Sequence, residues 1–464
     1  MNPVFQMKKP LAAAAILCLI LPWLATAQKR APSARTSTST ATPDKLLALK
    51  ISGTTRYTDK EILAASGLRL GQDAAEGEFK EAAQRLGQSG LFSSVAYSFS
   101  FSDKGVKVEF QLVDNNNIKL LPAHFENFVW FTDAELHTIL EQRVPLFKDS
   151  LLPSSGRLAD RVNEALQALL TERNLPGRVD YLRESKQDGS ELTAIVYRVE
   201  EVSIRIRNVE FPGASPDQVA FLEKAAHQLT FAEYFRSKLA AVAQFDLLPL
   251  LLQRGYLKAA FGLSEARVVS GPGAKSGDAQ SNAPTEDTSS NDIEVDAILP
   301  VTPGKVYSVS GITWKGNSAV TTDEASRAFH LAIDRPADAV RVTTDAEILT
   351  RLYHGRGYMT AEVRPDAQLD DEKSTVHYDV NITEGDLYKM GELEIIGVDT
   401  PSKDRLHDAW KLREGQPYNA DYTRKFLDDA PRLLPRGLQF SVSVNEELNR
   451  KEKVVDVTIQ FKVQ

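Results

Sequence analysis

The chain has 464 residues, of which 42% are hydrophobic and 25% charged, a balance that excludes a largely disordered protein. It carries 63 acidic against 55 basic residues, a formal net charge of −8, and has no Lys/Arg-rich run, which argues against a nucleic-acid binder. The single cysteine, Cys18, excludes a disulfide framework and a cysteine metal site.

The N-terminal residues have the pattern of a secretory signal. Two lysines precede an apolar run at residues 11–24, and Ala25-Thr26-Ala27 is a small-residue cleavage site. The run is shorter than the ~20 residues of a spanning helix, and Pro22 interrupts it. We therefore predict a signal peptide over residues 1–27 and a mature chain in the periplasm, with an uncleaved membrane anchor as the alternative.

Two helix signals recur along the remaining chain. Four helix starts have a hydroxyl residue followed three positions later by Glu or Gln, which is a capping box, and a fifth keeps the hydroxyl but lacks this partner. Each helix end has a Gly or Asn that can adopt the left-handed conformation. The ends recur about every 80 residues, apart from one longer interval that contains the polar segment 270–291. The capping boxes begin at Thr58, Thr132, Ser215 and Thr321, a fifth start is Thr400-Pro401, and the helix ends are Gly90, Asn174, Gly255, Gly357 and Gly437.

Each unit begins with an alternating strand, continues with two helices and closes with two more alternating strands. The alternation predicts a sheet with one face covered by the helices and the other solvated. We therefore predict an α+β protein, a tandem array of about five β-α-α-β-β domains, each a three-stranded mixed sheet with two helices on one face. The predicted divisions are a disordered leader at 28–43 and domains at 44–116, 117–202, 203–304 (with a disordered insert, 270–291), 305–386 and 387–464.

The first and fourth units carry the motifs of a known family. The first has Ile51-Ser52-Gly53-Thr54, then Thr58-Asp59-Lys60-Glu61, then Ser89-Gly90-Leu91-Phe92, and the fourth has Trp314-Lys315-Gly316-Asn317 and Gly357-Tyr358-Met359. In this order and repetition, the motifs resemble the POTRA domains of outer-membrane protein assembly factors. The resemblance spans residues 44–464. Because the sequence ends after the fifth unit, we expect a POTRA region without the membrane β-barrel that usually follows such domains.

The resemblance implies a binding protein associated with the outer membrane through a partner. The expected partners are unfolded outer-membrane proteins, a separate β-barrel or another envelope protein. We expect no catalytic residue, cofactor, small-molecule substrate or nucleic acid, and the seven histidines show no metal-binding spacing. The alternative function is an inner-membrane-anchored cell-division or envelope-structural protein that uses POTRA-like interaction domains.

The resemblance also implies that the last strand of each unit lies between the other two. The penultimate strand is then an edge, whose free polar groups can accept an extended peptide as an added strand. The alternative is an ordinary edge strand protected by flanking charges. The candidate peptide-binding residues are Val95, Tyr97 and Phe99 in the first unit, Ala361 and Val363 in the fourth, and Phe440, Val442 and Val444 in the fifth.

Overall fold

The computed structural model describes residues 44–274, 292–434 and 440–463. The predicted signal peptide, the leader, most of the polar insert and Gly437 lie outside the described residues. Five sheets of the described chain share one topology, in which the last strand pairs parallel with the first and antiparallel with the penultimate strand. The α+β class and the central position of the last strand are therefore confirmed.

The first two units each contain two helices and four strands. In chain order they comprise β1 (Asp44–Ser52), α1 (Asp59–Ser66), β2 (Asp73–Ala74), α2 (Glu76–Gln88), β3 (Phe92–Ser102) and β4 (Gly105–Asp114), then β5 (Leu120–Phe125), α3 (Asp133–Arg143), β6 (Leu151–Pro153), α4 (Leu158–Glu172), β7 (Arg178–Ser185) and β8 (Leu192–Glu200).

The last three units follow the same order with variations in the third. They comprise β9 (Ser203–Glu210), α5 (Pro216–Ala226), α6 (Arg236–Val242), α7 (Leu248–Leu252), β10 (Ala260–Phe261), β11 (Glu265–Ser270), β12 (Asp292–Ile298) and β13 (Val301–Thr302), then β14 (Ser308–Lys315), α8 (Thr322–Ala328), α9 (Ala339–His354), β15 (Glu362–Asp370) and β16 (Thr375–Thr383), then β17 (Lys389–Ile396), α10 (Thr400–Ala409), α11 (Ala420–Asp429), β18 (Phe440–Asn449) and β19 (Val454–Val463).

The first two sheets have one strand more than predicted. In each, a short strand between the helices pairs antiparallel with the first strand, as β2 does with β1. The later units keep only a single bridge at this place, such as Ser308 with Pro336 and Lys389 with Pro417. Ser270, predicted to start the insert, is instead the last residue of β11.

The four predicted capping boxes are confirmed. At α1, for example, the Thr58 hydroxyl accepts from the Glu61 amide, and the Glu61 carboxylate accepts from the Thr58 amide at 2.7 Å. The fifth start differs from the prediction, because Asp399 rather than Thr400 is the N-cap of α10 and accepts from the Ser402 amide at 3.3 Å. A carboxylate caps a helix as well as a hydroxyl does.

The capping carboxylate of α8 also binds the end of α9. Arg356 donates to the Glu324 carboxylate at 2.7 Å, and Thr321 donates its amide to it at 3.1 Å. These bonds, the Arg356 contact first, lower the pKa of Glu324 from 4.5 to about 2. Because the folded pKa lies below the unfolded one, the stabilisation is present above pH 4.5 and is lost as the pH falls towards about 2.

Replacing Arg356 with glutamine should raise the pKa of Glu324 towards 4.5, because the strongest donor to the carboxylate is removed. The pKa is measured by NMR titration of the labelled glutamate carboxyl carbons. Arg327→Gln, an exposed change at the end of α8, is the control and should leave the pKa of Glu324 low. An equal pKa in both variants would contradict this account.

In four units, a glycine with positive φ follows the first strand and lies against a backbone carbonyl of a later strand. An added Cβ would lie 1.9–2.1 Å from a backbone carbonyl oxygen, which is much shorter than a van der Waals contact. In the second unit Asn127 occupies this place, and its side-chain amide bonds both the N–H and the carbonyl of Val199, at 2.7 and 2.8 Å. The glycines and their φ angles are Gly53 (+87°), Gly213 (+93°), Gly316 (+84°) and Gly397 (+84°).

The hydrophobic cores show which units pack together. The first two units share one continuous cluster of buried side chains, whereas the other three have separate clusters. Across the shared core, the Tyr57 hydroxyl donates to the Leu146 carbonyl at 3.4 Å. Backbone bonds of 2.8 Å connect the last three units. Tyr307 of the fourth unit donates its amide to the Gly255 carbonyl of the third, and Tyr388 of the fifth donates its amide to the Gly357 carbonyl of the fourth.

Candidate functional site

The topology makes the penultimate strand of each unit an edge. The edge strands are β3, β7, β11, β15 and β18. Val95, Tyr97 and Phe99 lie on β3, Val363 lies on β15, and Phe440, Val442 and Val444 lie on β18. Ala361 is the exception, because it precedes β15 and is buried in the fourth core with 5% of its surface exposed.

A groove runs along the edge strand of the fourth unit. It has a volume of about 800 Å³ and lies between α9 and β15. Ala346 on the helix is small, which leaves space above Val363 and Pro365 of the strand. The walls carry charges of both signs. The lining residues are Thr343, Ala346, Glu347, Thr350 and Arg351 of α9 and Val363, Arg364, Pro365 and Asp366 of β15.

Pro365 identifies which backbone groups of β15 face away from the sheet. It is paired with Val380 in a regular antiparallel register but has no N–H to donate. In such a pair, both polar groups of a residue face the same side and the side alternates along the strand. The outward groups therefore belong to Val363, Pro365, Ala367 and Leu369. This edge can offer three N–H donors, since the proline removes the fourth.

The second unit has a similar groove, but its edge strand is already bonded. The groove lies between α4 and β7 and has a volume of about 710 Å³. Gln167 of α4 accepts from the Val179 amide at 2.8 Å, and Asn163 donates to the Val179 carbonyl at 3.2 Å. These two side chains take the bonds that an added strand would make at Val179. A peptide would have to displace them.

In the first unit, aromatic side chains fill the corresponding space between α2 and β3. The Phe79 ring of α2 lies 5.5 Å from the Phe99 ring of β3, and Phe101 lies 5.4 Å from Phe99. Phe101 keeps 55% of its surface exposed at the end of the strand. Val95, Tyr97 and Phe99 pack against the core of the first two units. The edge of β3 therefore has polar backbone groups but lacks the open groove of the fourth unit.

The helix side of the fourth groove was not predicted from the sequence. Glu347, Thr350 and Arg351 belong to α9, and nothing in their local pattern distinguishes them from an exposed helix face. The small residue Ala346 is the one signal, but its meaning depends on which strand the helix covers.

None of the helices in the described ranges combines the length and the apolar character that crossing a bilayer requires.

Parts of this chain are similar to a known protein family and to solved structures. Residues 307–385 match the family model of POTRA, described as a surface antigen variable number repeat. POTRA domains 3–5 of BamA from Haemophilus influenzae are similar over 56% of this chain and 96% of that one, at 15% identity and a TM-score of 0.41.

Two further solved structures are similar over comparable lengths. The N-terminal domain of Omp85 from Thermosynechococcus elongatus matches over 57% of this chain and 99% of that one, at 15% identity and a TM-score of 0.24. POTRA domains 1–3 of Omp85 from Anabaena match over 56% of this chain and 95% of that one, at 17% identity and a TM-score of 0.23. The fourth unit, at residues 307–385, is therefore similar to a POTRA repeat.

Proposed function

We propose that the chain is a non-catalytic periplasmic scaffold that binds extended polypeptides during outer-membrane protein assembly or export. The observation that carries the proposal is the fourth unit's open groove beside an edge strand whose outward backbone groups are not capped by side chains in the described structure. The POTRA match to the same residues supports it. The mature chain would reach the outer membrane through a partner protein.

The peptide would add to the sheet next to β15. Its backbone would bond the outward groups of Val363, Ala367 and Leu369, and alternate side chains would enter the groove over Ala346. Backbone bonds do not depend on the peptide's sequence, which suits binding of many unfolded proteins. The charged walls, with Glu347 and Arg351 on the helix and Arg364 and Asp366 on the strand, accept polar side chains of either sign.

Replacing Ala367 with proline should weaken peptide binding about tenfold, because it removes an outward N–H and places a ring in the path of the added strand. The pairing of β15 with β16 should persist, since Pro365 already occupies an equivalent position two residues earlier. Binding of a synthetic ten-residue peptide of alternating apolar and polar residues is measured by fluorescence anisotropy. Ala367→Val keeps the N–H and is the matched control.

Equal peptide affinity of the proline and valine variants would contradict strand addition at β15. A second comparison tests the closed edge of the second unit. Asn163→Ala combined with Gln167→Ala frees the Val179 backbone, so it should create or strengthen a second binding site.

The natural partner is identified by affinity purification from envelope extracts. Recovery of outer-membrane proteins would support the proposed role in outer-membrane protein assembly or export. Recovery of cell-division proteins alone would contradict it.

A further inference from the structure

A cavity lies where the first two units meet. It has a volume of about 490 Å³. The first unit contributes the end of α1 and Arg85 of α2, and the second contributes the end of α3 and one face of α4. Because the two units share one hydrophobic core, the walls of this cavity are held in a fixed arrangement.

Three arginines line this cavity in a chain that is acidic overall. They are Arg85, Arg143 and Arg161, and the one acidic residue among the lining residues is Glu164. Arg143 is paired with Glu172, 2.5 Å away on α4. Arg85 has a loose pair with Glu81 at 3.9 Å, and its guanidinium lies against Gly67, where any side chain would displace it.

Arg161 is the arginine without a partner. In the described structure it makes no ion pair and no side-chain hydrogen bond, although it is half-buried. Burial lowers the pKa of its guanidinium, and the charges of Arg85 and Arg157 add to this, while Glu164 opposes it. Arginine stays charged in proteins, so Arg161 holds an uncompensated positive charge beside the cavity.

We propose that this cavity is a binding site for a phosphate group, with Arg161 and Arg85 as its principal ligands. A guanidinium presents parallel N–H donors whose spacing fits two phosphate oxygens, and two such groups neutralise a phosphate dianion. The bound anion would give Arg161 the partner that the protein itself does not provide. The site is separate from the proposed peptide groove in the fourth unit.

The rest of the wall is made of apolar residues whose side chains are mostly buried. Val144, Pro145 and Leu146 follow α3 and line the cavity together with Leu158 and Ala165 of α4. The phosphate can belong to the headgroup of an anionic lipid or to a soluble compound, because the arginines bind either through the same oxygens. The shared chemistry is the phosphate group, and the two sources are distinguished by experiment.

The test titrates inorganic phosphate into the purified protein at constant ionic strength and measures heat by calorimetry. The wild-type protein should bind saturably. Arg161→Met should lose at least about tenfold in affinity, since it removes a charge-assisted bond. Without phosphate, this variant should be at least as stable to urea as the wild type, because a half-buried unpaired charge is removed. If the variant is as stable as expected, its loss of phosphate affinity is due to the missing guanidinium and not to unfolding.

Arg157→Met is the matched control. Arg157 lies one turn earlier, outside the cavity lining, pairs with Asp160 at 3.5 Å and has a side chain that is 63% exposed. Its removal should reduce phosphate affinity less than about threefold. An equal loss in both variants would mean that only the general positive field matters, and it would overturn the site. Absence of saturable binding by the wild type would also overturn it.

Sedimentation with phosphatidylglycerol and phosphatidylcholine vesicles identifies the source of the phosphate. Binding to phosphatidylglycerol vesicles that is lost in Arg161→Met would assign an anionic lipid headgroup. Saturable phosphate binding without vesicle binding would assign a soluble phosphate compound. This second result would also correct the expectation from sequence that the protein binds no small molecule.

Discussion

Replacing Gly397 with alanine should lower the free energy of unfolding of the fifth unit by about 3 kcal/mol or more. A residue other than glycine at φ +84° costs about 1–2 kcal/mol by itself. The new Cβ would also overlap the carbonyl of Phe461 on β19, the central strand, and relieving that overlap costs about another 1–3 kcal/mol. The change therefore acts on the parallel pairing of β17 with β19, which closes the sheet.

Gly415 provides a control within the same unit. Its φ is +79°, almost equal to that of Gly397, but nothing lies within 4 Å of an added Cβ. Gly415→Ala should therefore cost only about 1–2 kcal/mol, the conformational part alone. Hydrogen exchange of the β17 and β19 amides measures both variants, because it reports the opening of one unit inside a longer chain. Equal effects would show that the contact with Phe461 has no role.

Replacing Leu146 with alanine should destabilise the first and second units together, by about 3 kcal/mol. Leu146 is 2% exposed and belongs to the core that the two units share. Its backbone carbonyl also accepts from Tyr57 of the first unit. Because the buried side chains form one cluster, the free energy lost in the second unit is shared by the first. Hydrogen exchange should therefore become faster in both β4 and β8.

Leu349 in the fourth unit is the matched comparison. It is completely buried, and its cluster of side chains belongs almost entirely to one unit. Leu349→Ala should cost a similar amount but raise exchange only in β14 to β16. Faster exchange of β8 without any change in β4 after Leu146→Ala would contradict a cooperative pair of units. The pair would then be two domains that merely touch.

The elements governed by local rules were predicted well. The hydroxyl caps at Thr58, Thr132, Ser215 and Thr321 and the left-handed ends at Gly90, Gly255 and Gly357 are where the pattern indicated. Each depends on residues within one or two turns of helix. The errors are also local. The N-cap of α10 is Asp399 and not Thr400. Ala361 lies in the core and not on the edge strand, which begins one residue later at Glu362.

The candidate site was predicted only in part, because its properties depend on contacts between distant parts of the chain. The edge position of β15 followed from the resemblance, and Val363 lies on that edge. The groove, however, requires α9 to lie over β15 with Ala346 facing the strand. The bonds of Asn163 and Gln167 to Val179, which close the edge in the second unit, likewise depend on side-chain reach across the packed helix and strand.

By itself, the sequence determined the repeat, the main helices and strands of each unit and most of the helix boundaries, because caps, turns and alternation act over a few neighbouring residues. Only the tertiary structure decided that two units share a core, that one edge is open and another bonded, and that Arg85 and Arg161 line one cavity. The physical reason is that burial and pairing depend on residues brought together by folding, which no local pattern specifies.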